Sequence, residues 1–448
     1  MKNTKRKIEL FSFYDKDTIS RHLEKMAAKG WMLQHIGTYC WVYKRIEPSN
    51  VHFTVSYFPK ASEFDPQPSP QQMMFQDFCS HTGWQLAASS AQLQIFYNEK
   101  ENPIPIETDP MLELEAIQKT ARKGFIPTCL LLLILLLIIS IFLVDHHPIR
   151  YFSDYGQIIA SLVIASLLIY LIVEFSSYGI WLIKAKKAAE HGEFLKPANT
   201  ATFQKIIIST SIILLLFYTA IKISSIENTK MKLLFLGSII DVPLIVIIVN
   251  GLKRLLKRHK ISKEVNIMVT LFACIFLAFG TQGLLSEAML QDTPYESAGV
   301  SFELHHDKLP LVLEDLTEVD SNAYSYEELC NSGTIFLNRR IESQAPRQDV
   351  KNYHNLPALN YEIIDVKMPL LYDLCKDALL NENEKFSNSY HLIDTKSLLA
   401  NEAYQLFDEN NHALDWYLLC YDKQFIKLYI ELPLNENQLR IIEEKLIV

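Results

Sequence analysis

Five long apolar runs divide the chain. They cover Phe125–Val144, Gln157–Ile183, Ile206–Ile221, Leu233–Val249 and Ile267–Leu285, and Leu130 to Ile139 is Leu and Ile throughout. A helix of ~20 apolar residues is about 30 Å long, the thickness of a bilayer's hydrocarbon core. The pattern predicts a membrane protein with a five-helix transmembrane bundle over 124–285. Residues 1–101 and 286–448 form its soluble parts.

Periodicity changes on either side of the bundle. Lys7–Phe13 reads as a strand. Asp15 or Asp17 caps a helix with Ile19, Leu23, Met26 and Ala27 at helical spacing, and Gly30 ends it. Trp31–Leu33 opens an extended piece along which Tyr39, Trp41 and Tyr43 alternate. Val51, Phe53, Val55 and Tyr57 alternate in the next. The pattern then repeats. Pro70 opens a helix, Gly83 ends it, Trp84–Leu86 echoes Trp31–Leu33, and Leu93, Ile95 and Tyr97 alternate. The order β-α-β-β-α-β predicts a ferredoxin-like fold. Trp31 and Trp84 fall at equivalent points of its core, with an aromatic ligand platform as the functional alternative. Residues 102–123 read as a proline-stiffened linker, Asn102–Pro110, and a juxtamembrane helix.

The C-terminal part reads as α+β. Asp292–Asn322 is irregular with short strands. Thr334–Arg339 and Tyr361–Val366 are strands, and Leu370–Leu380 is a helix. Ala413–Tyr421 and Gln424–Glu431 pair about Asp422–Lys423, and Asn435 caps a last helix to Leu446.

Charge orients the bundle. The segments between runs two and three and between runs four and five hold eleven Lys and Arg, against four in the opposite segments. Positive residues stay inside. The N-terminal part is therefore expected in the cytoplasm and, after five spans, the C-terminal part outside. Residues 286–448 hold 13 Lys and Arg against 29 Asp and Glu. So acidic a part does not suit direct nucleic-acid binding. Met1–Lys7 is basic, but Ile8–Phe13 is too short for a signal-peptide core.

Candidate chemistry is sparse. The seven cysteines contain no CxxC pair, and Cys330, Cys375 and Cys420 allow at most one bridge. There is no GxGxxG after a strand, GxxxxGK[ST], HExxH or GxSxG. No catalytic residue or cofactor is predicted. Glu174 and Asp241 are ionisable groups within apolar runs, where they serve as an ion relay or as plain hydrogen-bonding groups; Glu174 can also lie at the membrane surface. Gly280–Gly283 resembles a small-residue packing motif. His146 and His147 after run one and His305 and His306 after run five could together hold a metal on the outer face. Phe64, in the proline-rich segment Ala61–Pro70, is the candidate partner contact.

Several separated motifs occur in order: Tyr14-Asp15, Leu23-Glu24-Lys25-Met26-Ala27-Ala28-Lys29-Gly30-Trp31, Tyr57-Phe58-Pro59, Phe64-Asp65-Pro66, Gly83-Trp84 and Gln94-Ile95-Phe96-Tyr97-Asn98. Together they resemble the DUF2812 family, a domain of unknown function, over roughly residues 1–125. The resemblance implies a bacterial cell-membrane protein, often encoded beside a PadR-type transcriptional regulator. It implies no activity. Three function classes follow: a signalling or interaction protein linking an outer domain to that cytoplasmic regulator; a transporter or transporter subunit using Glu174 and Asp241; or a metal-dependent enzyme of the outer face.

Overall fold

The computed structural model describes every residue except 1–2, 10, 38–39, 91, 196–200, 226–228, 290–295, 298–299, 302–308, 348–349, 352, 383–386, 395–397, 433 and 448. The chain forms two compact units. One holds 1–138, 163–216 and 235–285; the other holds 139–162, 217–234 and 286–448.

The first unit begins with strand β1 (Thr4–Lys7), helix α1 (Lys16–Ala28) and the hairpin β2 (Trp31–Ile36) and β3 (Trp41–Arg45). A second set follows: β4 (His52–Tyr57), α2 (Pro70–His81), β5 (Gln85–Ser90) and β6 (Leu93–Asn98). The two helix–Gly–Trp repeats are real, but each is a βαββ unit with its own three-stranded antiparallel sheet. The sheet orders are β1-β3-β2 and β4-β6-β5. This departs from the ferredoxin-like βαββαβ expectation. The extended pieces 31–43 and 84–97 each turn back on themselves, Trp31 facing Arg45 and Gln85 facing Tyr97. Alternation continues through a tight turn, so residue pattern alone merges the two strands.

Local chemistry explains the helix ends. Asp15 accepts from Thr18 N–H at 3.2 Å, an N-cap worth about 1 kcal/mol. Gly30 and Gly83 follow the two helices with φ of +79° and +94°, and a Cβ at Gly30 would stand 2.8 Å from the Ile46 carbonyl. Only glycine takes that backbone without strain.

The Trp residues are not equivalent. Trp84 is 4% exposed, packs with Cys79 and Phe96, and donates from Nε1 to the Ile104 carbonyl at 2.7 Å. Trp31 is half-buried beneath Lys5 and Arg45, whose cationic groups lie 5.5 and 5.1 Å from its ring. The 102–110 segment is no free linker either. It takes the Trp84 bond, packs Ile106 on the same cluster, and accepts from Ser56 at Glu107.

The apolar helices follow. Helix α3 (Pro110–Thr120) joins α4 (Ile126–Leu143) through a π-helical turn, 121–125. After short α5 (Pro148–Ser153) come α6 (Tyr155–Glu190), α7 (Ala201–Ser225), α8 (Thr229–Arg258) and α9 (Lys263–Met289). Five stretches are long and apolar enough to cross a membrane: Pro110–Leu143, Tyr155–Glu190, Lys205–Ser224, Phe235–Arg258 and Lys263–Thr281. All five predicted runs are helical. Their ends move because a helix continues through its polar flanks, as α8 does past Val249 to Arg258. At Gly280 a Cβ would meet nothing within 4 Å among the described residues.

The second unit carries a short pair, β7 (Glu296–Ser297) and β8 (Val300–Ser301). Its seven-stranded sheet is built from β9 (Tyr324–Gly333), β10 (Leu337–Pro346), β11 (Leu359–Val366), β12 (Ser389–Ile393), β13 (Glu402–Phe407), β14 (Ala413–Cys420) and β15 (Gln424–Ile430). The order is β12-β13-β14-β15-β11-β10-β9, antiparallel throughout. Successive residues point to opposite faces. Ile363, Leu419 and Ile426 meet α11 (Glu436–Leu446) on one face. Ile364, Leu418 and Phe425 meet α10 (Tyr372–Leu380) and Ile149 of α5 on the other. The predicted hairpin, last helix and Asn435 cap are present. Cys330, Cys375 and Cys420 are free thiols, and burial raises the last two, to about 11 and about 12.

Candidate functional site

Within the first unit, the small domain is built onto its own helices. Its core contains Ile19, Leu23, Tyr43 and Val55, and continues through Ile117 and Ala121 to Tyr178 of α6. The junction is aromatic. Phe13, Tyr14, Phe125, Tyr178 and Trp181 pack with ring centroids 5.0–6.0 Å apart, mostly tilted or edge-on. Rings at that spacing add ~0.5–1.5 kcal/mol per pair beyond their buried area. Burial, with smaller help from Glu174, raises the Tyr14 hydroxyl to about 12, so it is neutral at physiological pH.

Glu174 belongs to this junction. It is 7% exposed, and Ser12 Oγ lies 3.4 Å from its Oε1. Helix α6 continues past Glu174 to Glu190. The carboxylate is thus held by the small domain on the side of a continuous helix.

Beside the junction lies a cavity of about 330 Å³, walled by Tyr14, Asp15, Lys16, Glu113, Trp181 and Lys184 among others. Lys16 pairs with Glu113 and lies 4.9 Å from the Phe194 ring. Asp15, Asp17, Glu113 and Glu193 face only Lys16 and Lys184 in this lining, so the cavity is net acidic.

A second attachment uses Ala61–Pro70. Phe64 is half-buried, 5.6 Å from Lys253 Nζ, and its carbonyl accepts from Asn266 Nδ2 at 3.2 Å. Lys253 pairs with Glu63 at 2.9 Å, and Lys257 donates to the Glu63 carbonyl at 3.0 Å. The segment expected to meet a partner is engaged by the ends of α8 and α9 of its own chain.

Asp241 accepts from Thr281 Oγ1 at 2.8 Å, in a helix that also contains Pro243. His146 is exposed and His147 half-buried beside Asp145, whose carboxylate pairs with Arg150 at 2.7 Å. Neither His147 ring nitrogen has a hydrogen-bond partner among the described residues. His305 and His306 lie outside the described residues. Among the described residues no three His, Cys, Asp or Glu side chains converge as a metal site.

Sequence reasoning missed the aromatic junction. Its only signals were the Phe11–Tyr14 run and the Tyr178/Trp181 pair one helical turn apart, and neither says what the rings face.

These features define the class: a mixed helix-and-sheet protein with five membrane-length apolar helices and sheets toward both ends of the chain. Residues 15–129 match DUF2812, a protein family of unknown function, so the N-terminal part carries that domain. The matched stretch opens at the Asp15 cap and closes inside α4; it includes Phe125 but not Tyr178 or Trp181. No curated protein and no solved structure matches the chain.

Proposed function

We propose that this is a bacterial cell-membrane signalling protein, with the DUF2812 domain in the cytoplasm and residues 286–448 outside. The domain reports the state of the helices to a cytoplasmic transcriptional regulator of the PadR type. The observation that carries this reading is the double attachment of the domain to its own helices. Phe13, Tyr14 and Ser12 grip α6, and Glu63 and Phe64 grip the ends of α8 and α9. A domain held at both places shifts when those helix ends shift, whereas one on a flexible tether would not. The C-terminal domain is anchored in its own way: Ile149 enters its core, and Thr334 Oγ1 donates to the Phe152 carbonyl at 2.5 Å. The eleven-to-four charge bias supports the orientation, and the family resemblance supports the class of partner.

The test is a reporter at the promoter governed by the neighbouring PadR-type regulator. Its output should change when the gene for this chain is deleted. It should stay locked when residues 286–448 are removed from a chain that still reaches the membrane. Output indifferent to deletion of the whole chain would sink the proposal.

A further inference from the structure

Lys253, Arg254, Lys257 and Arg258 lie in the last turns of α8, and a cavity of about 480 Å³ opens beside them. Its other walls include Gln72 of α2 and Ser89 and Ser90 at the end of β5. Glu63 and Asp65 are its two carboxylates, against four cations. Both carboxylates are engaged. The Glu63 carboxylate pairs with Lys253, its backbone carbonyl accepts from Lys257, and Asp65 Oδ2 accepts from Ser62 N–H at 2.6 Å. The Arg254 and Arg258 guanidinium groups have no hydrogen-bond or ion-pair partner among the described residues.

Gln72 is an independent observation. It is 5% exposed and lines the cavity, and its carboxamide makes no hydrogen bond among the described residues. Its carboxamide is not among the fully buried polar groups that lack a partner, so it is free to reach into the cavity. Four cations gather at the negative end of α8, where the helix dipole favours them, and they concentrate positive charge on one side of the cavity. One kind of ligand suits this lining: an anion with several acceptor oxygens. The guanidinium fork suits phosphate oxygens two at a time. Gln72, Ser89 and Ser90 add neutral donors around it.

We propose that this cavity is a binding site for a phosphate-bearing anion. Its volume leaves room for an ester group on the phosphate. It lies at the polar end of the apolar stretch Phe235–Arg258, so the phosphate can come from an anionic phospholipid headgroup or from a soluble compound. Occupancy would brace the 61–68 segment against α8. The site does not depend on the signalling role.

Full-length protein in neutral detergent micelles is titrated with phosphatidylglycerol, phosphatidylcholine or inorganic phosphate, and the thermal unfolding midpoint is read. A ligand that binds only the folded state raises the midpoint. A rise with phosphatidylglycerol but not phosphatidylcholine or inorganic phosphate assigns a lipid headgroup. A rise with inorganic phosphate assigns a soluble source. Arg254→Gln with Arg258→Gln leaves the loop-holding lysines in place and should weaken the response about tenfold or more. Lys186→Gln with Lys187→Gln removes the same charge from exposed positions of α6 and should leave it within about twofold. No rise with either anion, or equal weakening by both double variants, overturns the site.

Discussion

The Thr281 hydroxyl donates a 2.8 Å hydrogen bond to the Asp241 carboxylate, tying α9 to α8 inside their apolar stretches. A carboxylate so placed must find a polar partner or a path to water. Asparagine can accept the same bond. Asp241→Asn should therefore keep the unfolding midpoint of the detergent-solubilised protein, and Thr281→Val should cost about 1 kcal/mol, the scale of interhelical hydrogen bonds in membranes. Loss of ion or proton movement in Asp241→Asn liposomes, with the fold intact, would instead make Asp241 a carrier group.

The unequal Trp residues give a sharper comparison. Trp84→Ala empties a buried site and strands the Ile104 carbonyl, so it should destabilise by about 3–5 kcal/mol. Trp31→Ala loses a half-buried ring and two cation contacts, worth ~0.5–1 kcal/mol each at exposed sites, and should cost clearly less. Chemical unfolding of the full-length protein measures both. Equal costs would mean that the two Trp side chains are equally embedded in the core.

Glu342 offers a pH test in the C-terminal domain. It is 1% exposed and accepts from Tyr361. Burial raises its pKa, against the opposing Tyr361 bond and the Arg340 charge. A carboxyl raised on folding favours the native state below its unfolded pKa of about 4.5, and that contribution fades as pH rises through the higher folded value. Glu342→Gln keeps an acceptor for Tyr361 without the charge. The midpoint of the variant relative to wild type should therefore rise between pH 4 and pH 8, as thermal scans would show. A difference flat across pH would mean that Glu342 does not titrate in this range.

Orientation is open to direct labelling. Asn50 and Asn410 are both exposed. In a background without the native cysteines, Asn410→Cys should react with an impermeant thiol reagent in intact cells, and Asn50→Cys only after lysis. The opposite pattern reverses the proposed topology.

The existence and place of the apolar helices, the βα repeat marked by Gly30–Trp31 and Gly83–Trp84, the last hairpin and the Asn435 cap were all legible in the residues. Each is a local matter: run length, period, a glycine at positive φ, a capping side chain. The tertiary structure decided what local pattern cannot carry. Alternation is the same on both sides of a turn, so only pairing showed that 31–43 and 84–97 are hairpins and that the domain has two sheets. Central strands such as Ala413–Cys420 and Gln424–Ile430 are apolar on both faces, and only packing shows which layer covers each. Phe64 looked available because nothing nearby in sequence could cover it; Lys253 lies over its ring and Asn266, 202 residues away, bonds its carbonyl. Glu174 looked misplaced in an apolar run until Ser12 and Tyr14 came to meet it. Contacts between residues so far apart depend on where the whole chain goes, and period and composition hold no record of that.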